Sequence, residues 1–92
     1  MVAAFNDEQE VDGTLRAVLV DVLGLAAERV AGFTEATPLF GALPEFDSMA
    51  VAGLLTELEE RLGILIEDYE VDADLLETYG SLLTFARAKA LR

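Results

Sequence analysis

Cysteine, histidine and tryptophan are all absent from these 92 residues. Without cysteine there are no disulfides, no thiolate metal sites and no cysteine nucleophile. Without histidine the usual general base and the commonest metal ligand are missing, so no serine has its ordinary activator. Bases are scarce as well, six against eighteen acids for a formal charge of −12. That field repels nucleic acid and anionic membrane surfaces and attracts basic partners, although acidity also serves plain solubility. No apolar run is long enough to cross a bilayer, which predicts no stable membrane insertion. The start, Met1 to Glu8, lacks a positive segment and turns acidic at once, unlike a secretory leader. Cytoplasmic placement is the expectation.

What is present is a hydrophobic fraction of 53%, drawn mainly from Leu, Ala and Val, which favours small helix-forming residues. The length suits one domain with one core. Residues 1–6 read as a frayed start, with Asn6-Asp7-Glu8-Gln9 as a capping sequence. Val11, Leu15, Val18, Leu19 and Val22 then keep helical spacing up to Gly24, predicting a first helix over about 7–23. Gly13 costs its first turn about 1 kcal/mol of propensity, so Asp12 is an alternative start. Residues 24–47 have no sustained period and are broken by Pro38, Gly41 and Pro44. So long a connection is uncommon. Its apolar groups, Val30, Phe33, Leu39, Phe40 and Leu43, predict that it folds onto the helices, with room for a turn near 38–42.

Val51, Leu54, Leu55, Leu58 and Leu62 mark a second helix over about 48–62, stopped by Gly63. Ile64-Leu65-Ile66 has no partner strand and reads as buried loop. The acidic run from Asp68 to Asp74 fails as a calcium loop, since Ala73 and Tyr79 stand where that loop needs Gly and Glu. A short third helix is expected at about 73–77. Thr78 or Ser81 then caps a last helix over about 80–90, with Arg87, Lys89 and Arg92 near its C-terminal end. The fold class is all-α: one domain over 1–92, a small bundle of three main helices plus one short helix, with a long first loop.

Asp47-Ser48-Met49 stands where the irregular segment meets the second helix. Taken alone, an Asp-Ser pair at that place is a helix cap. Yet a helix N-terminus also favours an attached phosphodiester, because its first N–H groups lack partners and the dipole is positive there. No catalytic constellation and no metal site are found, and Glu59 and Glu60 are neighbours on one face rather than opposed across a cleft. The sequence does not read as an enzyme.

Asp47-Ser48-Met49, followed by the acidic amphipathic helix ending Leu58-Glu59-Glu60-Arg61-Leu62-Gly63, resembles the acyl carrier proteins. In that family an Asp-Ser-Leu motif opens the second helix and its Ser carries 4′-phosphopantetheine. Leu23-Gly24-Leu25 and the passage Leu76-Glu77-Thr78-Tyr79-Gly80-Ser81-Leu82 extend the likeness over nearly the whole chain. The resemblance implies covalent 4′-phosphopantetheine on Ser48, with Asp47 its acidic neighbour and Met49 an exposed apolar contact beside the arm. Asp47, Met49, Glu57, Glu59 and Glu60 would be read by partners. Those would be a phosphopantetheinyl transferase and acyl-transferring, ligating or condensing enzymes with basic docking surfaces. The carrier would be a monomer holding acyl thioesters for fatty-acid, polyketide or related specialised biosynthesis. Val51, Leu54, Leu55, Leu58 and Leu62 would face the core and any sequestered acyl chain.

The chain departs from the housekeeping pattern at Leu43-Pro44-Glu45-Phe46 before Asp47, at Met49, and at Ala50 and Gly53, where acids are often found. In these it is closer to stand-alone bacterial carriers of the exosortase or polysaccharide-cluster type. Two other readings stand beside it. A peptidyl or aryl carrier would usually show Gly-Gly-His-Ser or Gly-Gly-Asp-Ser before the helix. An unmodified acidic helical adaptor would keep Ser48 as a cap.

Overall fold

Asp7 opens the first helix of the computed structural model, which describes residues 7–91. Its carboxylate Oδ1 accepts the Glu10 N–H at 2.8 Å, and α1 runs Glu8–Leu23 to a left-handed Gly24. The alternative start at Asp12 is thereby ruled out. The expected frayed segment 1–6, with Asn6, and Arg92 lie outside the described residues. Val11, Leu15, Val18, Leu19 and Leu23 form its buried stripe.

Helix α1 is the common partner of the others, packing against α2 (Ala27–Ala31), α3 (Ser48–Leu62) and α4 (Tyr79–Ala90). Helix α3 contributes Leu54, Leu58 and Leu62 to the core, and α4 contributes Tyr79, Leu82, Leu83 and Ala86. Val51 and Leu55, expected in the core, are only half-buried, on the flanks of the stripe. Gly53 faces the α1 seam: a Cβ there would lie 3.4 Å from Val22. No described helix is long and apolar enough to cross a membrane.

The long first connection is folded onto the bundle, with Leu25, Val30, Phe33, Leu39 and Phe46 all buried. It contains the five-residue α2, which the periodicity argument missed because a run so short offers no repeat. Leu43 N–H reaches the Leu39 carbonyl at 3.0 Å, closing a single turn after Pro38. The chain then pairs across the molecule. Leu39 and Phe40 N–H groups donate to the Glu77 and Leu76 carbonyls, while Tyr79 and Gly80 N–H groups donate to Thr37 and Glu35.

The expected helix at 73–77 is corrected. Within 73–77 the N–H groups do not form a helical ladder: the Leu75 N–H goes to Asp72 Oδ1 at 2.8 Å and the Glu77 N–H reaches only the Asp74 carbonyl three residues back, so these residues form turns. The regular piece of this connector is instead a 3-10 turn at Asp68–Glu70 with a Glu67–Glu70 capping box. Thr78 and Ser81 cap α4 reciprocally, so it begins at Tyr79. The 64–66 segment is also corrected. Ile64 and Ile66 turn inward and are half-buried, whereas Leu65 points out at 68% exposure, as alternation along extended backbone requires.

Candidate functional site at the start of α3

Phe46, 2% exposed, anchors the chain immediately before α3 and meets the Phe40 ring edge-on at 5.9 Å. Residue 47 then takes an extended backbone, φ −94° and ψ −177°, the geometry of an N-cap. Asp47 Oδ1 accepts the Ala50 N–H at 2.8 Å, and the Asp47 carbonyl accepts the Val51 N–H at 3.0 Å. The cap is thus Asp47. Ser48 is the first helical residue, exposed, and its hydroxyl bonds to no other described residue. The reading of Ser48 as a cap is set aside, because the carboxylate one residue earlier already does that work.

The N–H groups of Ser48 and Met49 come before the first intrahelical donor, Val51, and have no intrahelical acceptor, so the site presents partial positive charge and unsatisfied donors around an uncommitted hydroxyl. A phosphodiester on that oxygen fits both features. Met49 is 85% exposed and projects beside it. Nearby, the Glu45 carboxylate pairs with Arg29 at 3.3 Å, leaving one acid fewer to oppose an anionic group.

Down the outer face of α3, Met49, Ala52, Thr56 and Glu60 are exposed in turn, so the first turns beside Ser48 carry no charge. The candidate recognition acids come later and differ in engagement. Glu57 pairs with Arg61 Nε at 2.7 Å, and the same guanidinium reaches Asp21 of α1 at 2.7 Å. Hydrogen bonds to Asp21 and Glu57 raise the Arg61 pKa further. Glu59 turns back to accept the Ile66 N–H at 2.8 Å. Glu60 is exposed, about 18 Å along the axis from Ser48 at 1.5 Å per residue. The structure therefore groups Asp47, Ser48 and Met49 and sets the three glutamates apart from them.

A polar knot elsewhere escaped the sequence. The buried Tyr79 hydroxyl donates to Asp12 Oδ1 at 2.5 Å, and Arg16 pairs with Asp12 at 2.9 Å. Arg16 also lies over the Tyr79 ring and donates to the Val30 and Phe33 carbonyls. Burial pushes the Tyr79 hydroxyl pKa well up, and the Asp12 bond and charge push it the same way. Burial raises Asp12 too, but the Tyr79 and Arg16 bonds outweigh it and leave this carboxyl below its ordinary range. The knot ties α1, α4 and the first connection together and is structural. Among the described residues, no group of three acids is arranged to hold a metal ion.

Comparison with known proteins bears on this site. The family model for the phosphopantetheine attachment site matches residues 13–88. A solved solution NMR structure, holo acyl carrier protein from Nitrosomonas europaea, is 40% identical, superposes with a TM-score of 0.76, and covers 87% of this chain and 94% of its own. Among curated proteins, nothing matches significantly.

Proposed function

Because the chain belongs to the acyl carrier protein family, a non-enzymatic family built around covalent phosphopantetheine, we propose that Ser48 is its attachment residue. The observation that carries this is the division of labour at the start of α3: Asp47 caps the helix, and the Ser48 hydroxyl stays exposed and uncommitted. In the loading step the Ser48 oxygen would form a new bond to the phosphorus of coenzyme A that bears the pantetheine arm, losing its proton as the nucleotide part leaves. A phosphopantetheinyl transferase supplies that chemistry together with the Mg²⁺ it holds. Once attached, the arm's terminal thiol carries acyl groups as thioesters.

The residues around Ser48 position and present. Asp47 fixes the first turn of α3 and so the direction of the Ser48 Cα–Cβ bond. Met49 offers an apolar contact next to the arm. Glu60, with the partly engaged Glu57 and Glu59, forms the acidic end of the surface read by basic partner enzymes. The cargo is an acyl group of fatty-acid, polyketide or related specialised biosynthesis. The neutral outer face at Ala52 and Thr56 favours a specialised pathway over one whose enzymes read acids beside the serine.

The test is an intact mass of the protein before and after incubation with coenzyme A and a broad-specificity phosphopantetheinyl transferase, with Ser48→Ala in parallel. The wild type gains one phosphopantetheine and the variant gains none. A folded, unmodified wild type that gains nothing with several such transferases, or a variant that gains the same mass, overturns the assignment.

A further inference from the structure

At the end of α3 remote from Ser48, two large apolar side chains are held out into solvent. Leu65 is 68% exposed and Tyr69 84% exposed. With Gly63, Ile64, Glu67 and Lys89 they line one shallow depression of about 350 Å³. The backbone beneath them is well tied down. The Leu65 carbonyl accepts Lys89 Nζ at 2.9 Å, Ile66 N–H is held by Glu59, and Tyr69 is the middle residue of the capped 3-10 turn. Neither side chain contributes to the core, and leaving them in water forgoes hydrophobic stabilisation.

The charge around the patch says what covers it. Nine of the eighteen acids fall within residues 57–77, where Arg61 is the one base. Glu67 lines the depression itself, and the cation that lines it, Lys89, is already paired with Glu70 at 2.7 Å. A second copy of the chain is a poor occupant, since both would bring a charge of −12. An apolar anchor ringed by Lys and Arg is complementary in both respects.

We propose that Leu65 and Tyr69 form a docking site for a basic protein partner, separate from the surface around Ser48. The fifteen residues of α3 put about 21 Å between the two ends. A partner seated on Leu65 and Tyr69 therefore leaves Ser48 uncovered, and it tethers the carrier while the arm visits other enzymes. This last consequence rests on the Ser48 assignment; the docking site itself does not.

The probe is a short amphipathic peptide of Lys and Leu, compared with one in which every Leu is replaced by Ser. Binding is mapped by amide chemical shifts on the whole chain and on the Leu65→Ser/Tyr69→Ser double variant. The Leu peptide is expected to shift residues 60–70 first and to bind the double variant on the order of tenfold more weakly. The Ser peptide is expected to bind weakly with no focus. Shifts centred on residues 47–56, or equal affinity for the double variant, overturn the proposal. So does a concentration-dependent dimer in sedimentation that the double variant abolishes, because the occupant is then a second copy. Both side chains are exposed, so the variant keeps its fold, and its amide spectrum checks this. The transferase assay run on the double variant keeps the two readings apart: mass gain tests Ser48, and the shift map tests Leu65 and Tyr69.

Discussion

Substitutions at Asp47 and Ser48 should separate stability from loading, because the two neighbours have different jobs. Asp47→Ala removes the carboxylate that holds the Ala50 N–H, a capping loss of about 1 kcal/mol. It also removes a negative charge from the positive end of the α3 dipole, worth about 0.3–1 kcal/mol at an exposed site. The combined cost is about 1.5 kcal/mol, or about 6–12 °C in Tm for a domain of this size. Asp47→Asn keeps a capping oxygen and loses the charge, so its cost is the smaller part, about 0.3–1 kcal/mol. Ser48→Ala removes a hydroxyl that bonds to no other described residue. It should stay within about 0.5 kcal/mol of wild type, helped by the higher helix propensity of Ala.

Thermal unfolding followed by circular dichroism at neutral pH and low salt measures all three, and intact mass after transferase treatment gives the second readout. Asp47→Ala should be less stable yet still gain phosphopantetheine, whereas Ser48→Ala should be stable and gain none. If Ser48→Ala costs 1 kcal/mol or more while Asp47→Ala is neutral, the hydroxyl is the cap. The central observation behind the assignment then fails.

Tyr79→Phe should cost about 1–2 kcal/mol in urea unfolding at pH 7, since it strips a hydrogen bond from a partly buried carboxylate. The folded pKa of Asp12 is depressed, so its contribution is present above the unfolded value near 3.9 and fades as pH falls through the folded value. The deficit of the Phe variant should therefore shrink below about pH 4. Gly80→Ala would put a Cβ 2.7 Å from the Glu35 carbonyl oxygen, which the Gly80 N–H also holds at 3.0 Å. The connection has to shift, at a cost of about 1–3 kcal/mol seen as a lower urea midpoint. Leu58→Ala, at a position with no exposure, should cost about 2–5 kcal/mol by the same measurement.

The long helices were legible because each core stripe repeats: Val11, Leu15, Val18 and Leu19, then Leu54, Leu58 and Leu62. The connections were not, and for a definite reason. Their structure depends on pairing between residues 35–40 and 76–80, some forty positions apart, and no local period encodes such a partnership. Gly80 carried a hint only in its lack of a Cβ, which lets Glu35 approach. Nothing in the local sequence marks Arg16, which holds the Val30 and Phe33 carbonyls, 14 and 17 positions on. At the site, Asp-Ser before a helix left two candidate caps, and only backbone geometry decides which oxygen faces the Ala50 N–H.

The acidity, finally, divides into two kinds. Asp7, Asp47 and Asp72 hold N–H groups, Asp12 anchors Tyr79, Asp21 and Glu57 share Arg61, and Glu59 secures the turn after α3. Those acids serve the fold, so total charge overstates what a partner can read by direct pairing. Beside Ser48 the acid is the cap Asp47, and the outer face of α3 runs on through uncharged Met49, Ala52 and Thr56, while the acids concentrate toward the far end of α3 and the connector after it. On the proposed reading a basic partner would be drawn by a field centred well away from the serine, and its close contact at Met49 would be apolar. Salt should then slow association with little effect on dissociation from the Met49 contact, because charge here acts mainly on encounter.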